Sequence, residues 1–223
     1  MFSLFCDQSF GGGVFALFQD SAVVEVLHRE IKDSSHPCAL FEQLLDRHKV
    51  HLDDITCLAC GVGPGSYTGI RSAAATMKGI AFATQKPIVA IPSLLLFAPV
   101  ESGTYCIAAD GGIGGVFVQE ISIEEEKCHV VCPEALEREA FLTRASSGVK
   151  IVVKSRDWLM RKGLDPSLAY REVSPHVNIV ARVVIQDFNA GRYYTASTLP
   201  LLYLRKTQAE IDRQVLISPS TQG

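Results

Sequence analysis

Apolar and polar positions alternate in short blocks along the first thirty residues. Phe2–Cys6, Val14–Phe18 and Val23–Leu27 are apolar, and Gln8-Ser-Phe-Gly-Gly-Gly13 and Gln19-Asp20-Ser21 separate them. Short apolar blocks between glycine-rich or polar turns predict a meander of three strands. His36-Pro37 then opens a helical pattern, with proline suited to the first helical position, and Leu40, Phe41, Leu44 and Leu45 form its core stripe. The run Ile55–Val62 predicts a buried strand, a glycine-rich loop follows, and a helix is expected over 70–84. Gln85-Lys86-Pro87 ends that helix before a strand at Ile88–Ile91.

The second half runs through much the same order. Strands are predicted at Tyr105–Ala109, Val116–Ile121 and Cys128–Val131, a helix at Pro133–Arg144, a strand at Val149–Val153 and a helix at Val177–Asn189. A doubled β-β-β-α-β-α order is that of the actin-like ATPases and ribonuclease-H-like proteins. The expected fold is therefore α/β, with two small actin-like domains of mixed β-sheets flanked by helices. The first domain is placed at 1–101 and a second, smaller one at 102–214, with a flexible tail over 215–223.

Composition narrows the field. Hydrophobic residues make up 48% and charged residues 20%, which suits a globular chain with a real core rather than a disordered one. A formal net charge of −3 argues against a dedicated nucleic-acid binder. The most apolar stretch, Ile88 to Val100, is interrupted by prolines and too short to span a bilayer, and Asp7 interrupts any signal-peptide core. The seven cysteines are scattered. Cys57 and Cys60 form a CxxC pair on a predicted strand, where positions three apart point to opposite faces and share no metal or disulfide. The expectation is a reduced, cytoplasmic protein.

The candidate chemistry lies in Gly63, Pro64, Gly65, Ser66, Tyr67, Thr68 and Gly69, followed by Arg71. A glycine loop between a strand and a helix suits an anion, because unpaired N–H groups and the helix dipole converge there. It equally suits a tight turn that lets helix and sheet pack closely. No Lys-Ser/Thr follows the glycines, and Ser66 stands where GxGxxG needs its third glycine. The helix beyond buries Ile70, Ala74, Met77 and Ala81. Its other flank carries only small residues, Ser72, Ala75, Thr76, Gly79 and Ala83. Such a flank admits a second helix at close range, either a partner's or the chain's own; the near absence of charge favours a partner. Asp7 and Asp110 each end a first strand before glycines, as phosphate-binding hairpins do and as plain turns do. His48 and His51 read as a solvated helix end rather than a metal pair.

Gly61-Val-Gly-Pro-Gly-Ser-Tyr-Thr-Gly-Ile-Arg71, with Ala75-Thr-Met-Lys-Gly-Ile-Ala81 and Ile91-Pro-Ser-Leu94, resembles the TsaB (YeaZ) family of tRNA threonylcarbamoyladenosine biosynthesis proteins. Leu199-Pro-Leu-Leu-Tyr-Leu-Arg-Lys206 resembles that family's closing segment. The resemblance implies a non-catalytic subunit with no catalytic residues or metal of its own, pairing through its first two helices with the larger catalytic paralogue TsaD. The P-loop ATPase TsaE joins them, and tRNA is met only through the complex. Carried onto this chain, the docking residues are Pro37, Leu40, Leu44, Ser72, Ala75, Thr76, Gly79 and Ala83. The glycine loop, Arg71, Asp7 and Asp110 are left to nucleotide or partner contact. The resemblance implies no intrinsic cofactor and leaves ATP or ADP with Mg²⁺ to the complex interface; a homodimer is expected when the protein is alone. Three segments depart from the family pattern: Asp7-Gln8-Ser9, His36-Pro-Cys-Ala-Leu40 and Asp110-Gly111-Gly112. The alternative reading is a stand-alone small actin-like ATPase or kinase that uses Asp7, Asp110 and the glycine hairpins.

Overall fold

The computed structural model describes residues 1–30, 33, 35–112, 115–125 and 127–204. The expected tail at 215–223 and the end of the second predicted domain, 205–214, lie outside the described residues.

The first sheet has the order β3-β2-β1-β4-β5, built from β1 (Phe2–Asp7), β2 (Gly13–Gln19), β3 (Ala22–Arg29), β4 (Ile55–Gly61) and β5 (Ile88–Ile91). The meander is antiparallel, with Phe2 opposite Gln19, and β4 joins β1 in parallel. The second sheet has the order β11-β10-β6-β7-β8. It comprises β6 (Gly103–Asp110), β7 (Gly115–Ile123), β8 (Cys128–Val130), β10 (Lys150–Val153) and β11 (Arg171–Glu172), with β9 (Glu134–Glu137) on β7.

Alternation along the strands divides the apolar residues between three cores. Leu4, Cys6, Phe15 and Leu17 face a core closed by α1 (Pro37–His48) and α2 (Tyr67–Thr84). Phe5, Ala16 and Phe18 face the other way, into a core shared with Ile107 and Phe117 of the second sheet and Val180 and Val184 of α5 (Asn178–Asn189). The outer face of the second sheet packs Cys106, Val118 and Ile151 against Phe141 of α3 (Arg138–Ser146) and Trp158 of α4 (Asp157–Arg161). With both faces covered, β1, β2 and β4 are buried almost throughout, which is why they read as unbroken apolar runs.

Cys57 belongs to the shared core and Cys60 to the helix-covered one, so the CxxC pair is split across the sheet as its spacing predicts. Burial pushes the Cys57 thiol up to about 12 and raises that of Cys60 as well.

Two predicted elements differ. The helix expected at Pro133–Arg144 begins only at Arg138, because Glu134–Glu137 pair with Val118–Gly115 of β7. β8 covers only Ile121–Ile123 of that strand, and β9 takes the edge that remains. The helix expected from Ile70 begins at Tyr67, because the Ser66 side chain accepts a hydrogen bond from the Gly69 N–H and caps it. Tyr67, Thr68 and Gly69 therefore form its first turn rather than the loop.

Candidate functional site

The loop between β4 and α2 is packed against the end of β1. A Cβ on Gly61 would lie 1.9 Å from an Asp7 carboxylate oxygen, one on Gly65 2.5 Å from the Ser9 side chain, and one on Gly69 1.9 Å from the Gln8 carbonyl. The space these glycines free is filled by Asp7-Gln8-Ser9. Leu202 closes the other side, donating its N–H to the Val62 carbonyl at 2.8 Å. Serines tie the loop down. Ser9 Oγ and Ser93 Oγ are 2.9 Å apart, Gly63 N–H donates to Ser93 Oγ at 2.9 Å, and Ser66 N–H donates to the Ser9 carbonyl at 2.8 Å.

Asp7 is buried, with one oxygen accepting the Ser9 N–H at 2.7 Å and the other without a hydrogen-bond partner among the described residues. Burial pushes its carboxyl above the usual range, against hydrogen bonds from Ser93 and Ser9 that pull it down. Gln8 is the centre of a polar bridge. Its side-chain oxygen accepts from Arg29 and, at 3.3 Å, from the Ser72 hydroxyl, while Arg29 also donates to the Ser35 carbonyl at 2.9 Å. The cavity that Asp7 lines, with Arg29 and Lys154 at its walls, holds about 80 Å³. Small-molecule pockets usually hold ~300–1,000 Å³.

Asp110 does not join this cluster. It pairs with Lys162 at 3.0 Å and accepts the Gly112 N–H at 2.8 Å. Lys162 also donates to the Gly112 carbonyl, so the second hairpin is tied to the end of α4. Among the described residues no three His, Cys, Asp or Glu side chains come together as a metal site, and no helix is long and apolar enough to cross a membrane.

Helices α1 and α2 lie on the outer face of the first sheet. On α2 the predicted core stripe is buried, and Ala75, Gly79 and Ala83 form an exposed crest. Among the described residues, a Cβ on Gly79 would meet nothing within 4 Å. Ser72 and Thr76 are half-buried instead. Ser72 turns to Gln8 and Thr76 bonds back to the Ser72 carbonyl at 3.0 Å, so both serve the chain's own packing. The α1 assignments also need correction. Leu44 is 0% exposed and Pro37 is buried, because they seat α1 on its own sheet, and Leu40 is half-buried. The surface of α1 is formed by Cys38, Ala39, Glu42, Asp46, Arg47 and His48.

Tyr203 stacks on Tyr67 with ring centroids 4.6 Å apart and planes 7° apart. Arg71 lies over both rings and donates to the Tyr203 hydroxyl at 3.2 Å. The closing segment is thereby clamped to the first turns of α2. Phe82, 76% exposed two residues before the end of α2, was not among the residues picked out by pattern; neither were Tyr203, Arg29, Glu42 and Asp46. Phe82 sits three positions beyond Gly79, a spacing that places them on one face.

The model of the family described as TsaD, tRNA N6-adenosine threonylcarbamoyltransferase, matches residues 34–169. Two curated relatives are tRNA threonylcarbamoyladenosine biosynthesis proteins TsaB. The Escherichia coli protein is 30% identical over 118 residues, covering 49% of this chain and 50% of that protein. The Haemophilus influenzae protein is 34% identical over 59 residues, covering 26% of this chain and 25% of that protein. The chain thus spans between a quarter and a half of the length of these relatives. YeaZ from Pseudomonas aeruginosa shares the fold, with a TM-score of 0.74 at 19% identity over 91% of this chain and 99% of that one.

Proposed function

The chain belongs to the TsaB/YeaZ family, and from that membership we propose that it acts in tRNA threonylcarbamoyladenosine biosynthesis as a non-catalytic subunit. In this reading it docks through α1 and α2 onto the larger paralogue TsaD, and the pair presents the surface that TsaE binds. Transfer of the threonylcarbamoyl group to tRNA takes place on the paralogue.

The observation that carries this reading is the exposed crest Ala75-Gly79-Ala83. A glycine in a helix interior costs ~1 kcal/mol relative to alanine. Among the described residues nothing requires one at position 79, where added side-chain atoms would enter open space. A partner helix seated on the crest supplies the reason, since small side chains let helix axes approach closely.

Nucleotide chemistry within the chain has less support. The loop glycines accommodate Asp7, Gln8 and Ser9 rather than an open cradle, and the cavity beside Asp7 is smaller than a nucleotide requires. ATP or ADP with Mg²⁺ is accordingly assigned to the interface of the assembled complex. Titration of the full chain into the purified paralogue, followed by reconstituted tRNA modification with and without the chain, tests the reading. Saturable binding and a modification rate that depends on the chain are expected; modification that proceeds equally without it would contradict the role.

A further inference from the structure

The small cavity beside Asp7 lies where the two halves of the chain meet. Asp7 and Gln8 at the end of β1 and His28 and Arg29 at the end of β3 line it from the first half; Lys154, just past β10, and Pro175 line it from the second. Asp7 and Gln8 are buried, Arg29 is half-buried, and His28 and Lys154 are exposed. The two strong bases are held in place yet short of acceptors. Arg29 lies over the Phe15 ring and donates to the Gln8 side chain and the Ser35 carbonyl, which uses two of a guanidinium's five N–H groups. Lys154 donates to the Phe10 carbonyl at 3.1 Å, which uses one of an ammonium's three. Among the described residues no carboxylate lies within ion-pair distance of Arg29, Lys154 or His28. Asp33, whose charge reaches Arg29, is turned to Ser35, which donates its N–H and hydroxyl to it at 2.8 and 2.6 Å. Asp7 stands on the cavity wall, and burial raises its carboxyl towards the neutral form, which does not repel an anion.

We propose that this cavity binds a small inorganic oxyanion of the orthophosphate class, held by Arg29 and Lys154 with His28 beside them, and that the ion ties the first half of the chain to the second. The planar fork of an arginine matches the oxygens of such an ion, and a lysine adds a movable point charge. Hydrogen bonds of this kind strengthen away from water, which Phe10, Val14 and Leu96 on the walls partly exclude. Volume sets the class of ligand. At about 80 Å³ the space takes an ion of a few heavy atoms and leaves no room for a base and a ribose. Every donor belongs to this chain, so binding requires neither the paralogue nor a nucleotide.

Calorimetry and thermal unfolding of the full chain with sodium phosphate, against sodium chloride at matched ionic strength, test this with Lys154→Gln, Arg29→Gln and, as a control remote from the cavity, Lys127→Gln. Phosphate should bind saturably and raise the melting temperature beyond what chloride does, as a ligand of the native state must. Lys154→Gln and Arg29→Gln should each weaken binding about tenfold or more, and Lys127→Gln should leave it unchanged. Lys154 is exposed, so its variant is expected to melt with the wild type in chloride. It therefore gives the answer even if Arg29→Gln, which loses bonds to Gln8 and Ser35, fails to fold. Phosphate that acts no differently from chloride would overturn the site. Binding that survives Lys154→Gln would place the ion elsewhere, and equal weakening in all three variants would mark a general charge effect; either overturns it as well. ATP that displaces phosphate and binds more tightly would make the cavity part of a nucleotide site and overturn the free-ion assignment.

Discussion

The α-carbon of Gly61 lies directly against the Asp7 carboxylate, so close that a Cβ there would sit 1.9 Å from Oδ2. One residue ends β4 and the other ends β1, and their contact lets the glycine loop fold over the first strand. Gly61→Ala forces a backbone atom or a buried carboxylate to move. We expect a loss of at least ~1–3 kcal/mol in urea unfolding, the scale of an overpacked core. An alanine variant as stable as the wild type would show that the contact is loose.

Asp7 carries a pH signature. Its carboxyl is raised by burial in the folded state, so the native protein holds a proton that the unfolded chain releases at the ordinary value near ~3.9. Above that point stability falls as pH rises, and the loss is complete once the raised native value is passed. Asp7→Asn keeps an acceptor for the Ser9 N–H without the charge. It should be more stable than the wild type at neutral pH, by a margin that closes as the pH drops below about 4. Chemical denaturation from acid to neutral pH measures the margin; a constant difference would contradict it.

Tyr203 holds the closing segment to α2 through its stack on Tyr67 and its contact with Arg71. Tyr203→Ala should cost ~0.5–1.5 kcal/mol for the stacked pair alone. It should also speed hydrogen exchange at the Leu202 amide, which is bonded to the Val62 carbonyl. Unchanged protection there would mean that Leu199 and its neighbours hold the segment without the clamp.

All seven cysteines are free thiols, five buried and two, Cys38 and Cys132, exposed. A thiol reagent should label two groups rapidly in the native protein and the remaining five only on unfolding. A third fast thiol would indicate that one of the covering helices opens.

Much of the first sheet and its two helices was legible because local signals and tertiary contacts agree there. The glycine turn before β2, Pro37 at a helix start and the 3.6-residue stripe of α2 each predict what forms. β9 was not legible, since Pro133–Arg144 has a helical pattern and only the free edge of β7 makes Glu134–Glu137 a strand. α4 and β11 are too short for periodicity to mark. At the candidate site, the motif glycines were plain in the sequence, but what fills the space beside them was not. Their neighbours are Asp7-Gln8-Ser9 and Leu202, distant in the chain. Leu40 and Leu44 illustrate the converse: apolar residues on a docking helix read as contacts, yet Leu44 is used up by the chain's own core, and charged residues of both signs occupy the surface. Small residues were more informative, because Gly79 has no contact among the described residues to explain it.

The most direct test of the docking assignment is the affinity of Gly79→Leu for the larger paralogue, measured by calorimetry beside its melting temperature. The new side chain enters open space and replaces a poor helix former, so the variant should melt at or above the wild-type temperature. Its added volume should hold the partner helix away and abolish measurable binding. A variant that melts normally and binds the paralogue as tightly as the wild type would contradict the assignment of the α2 crest as the docking surface.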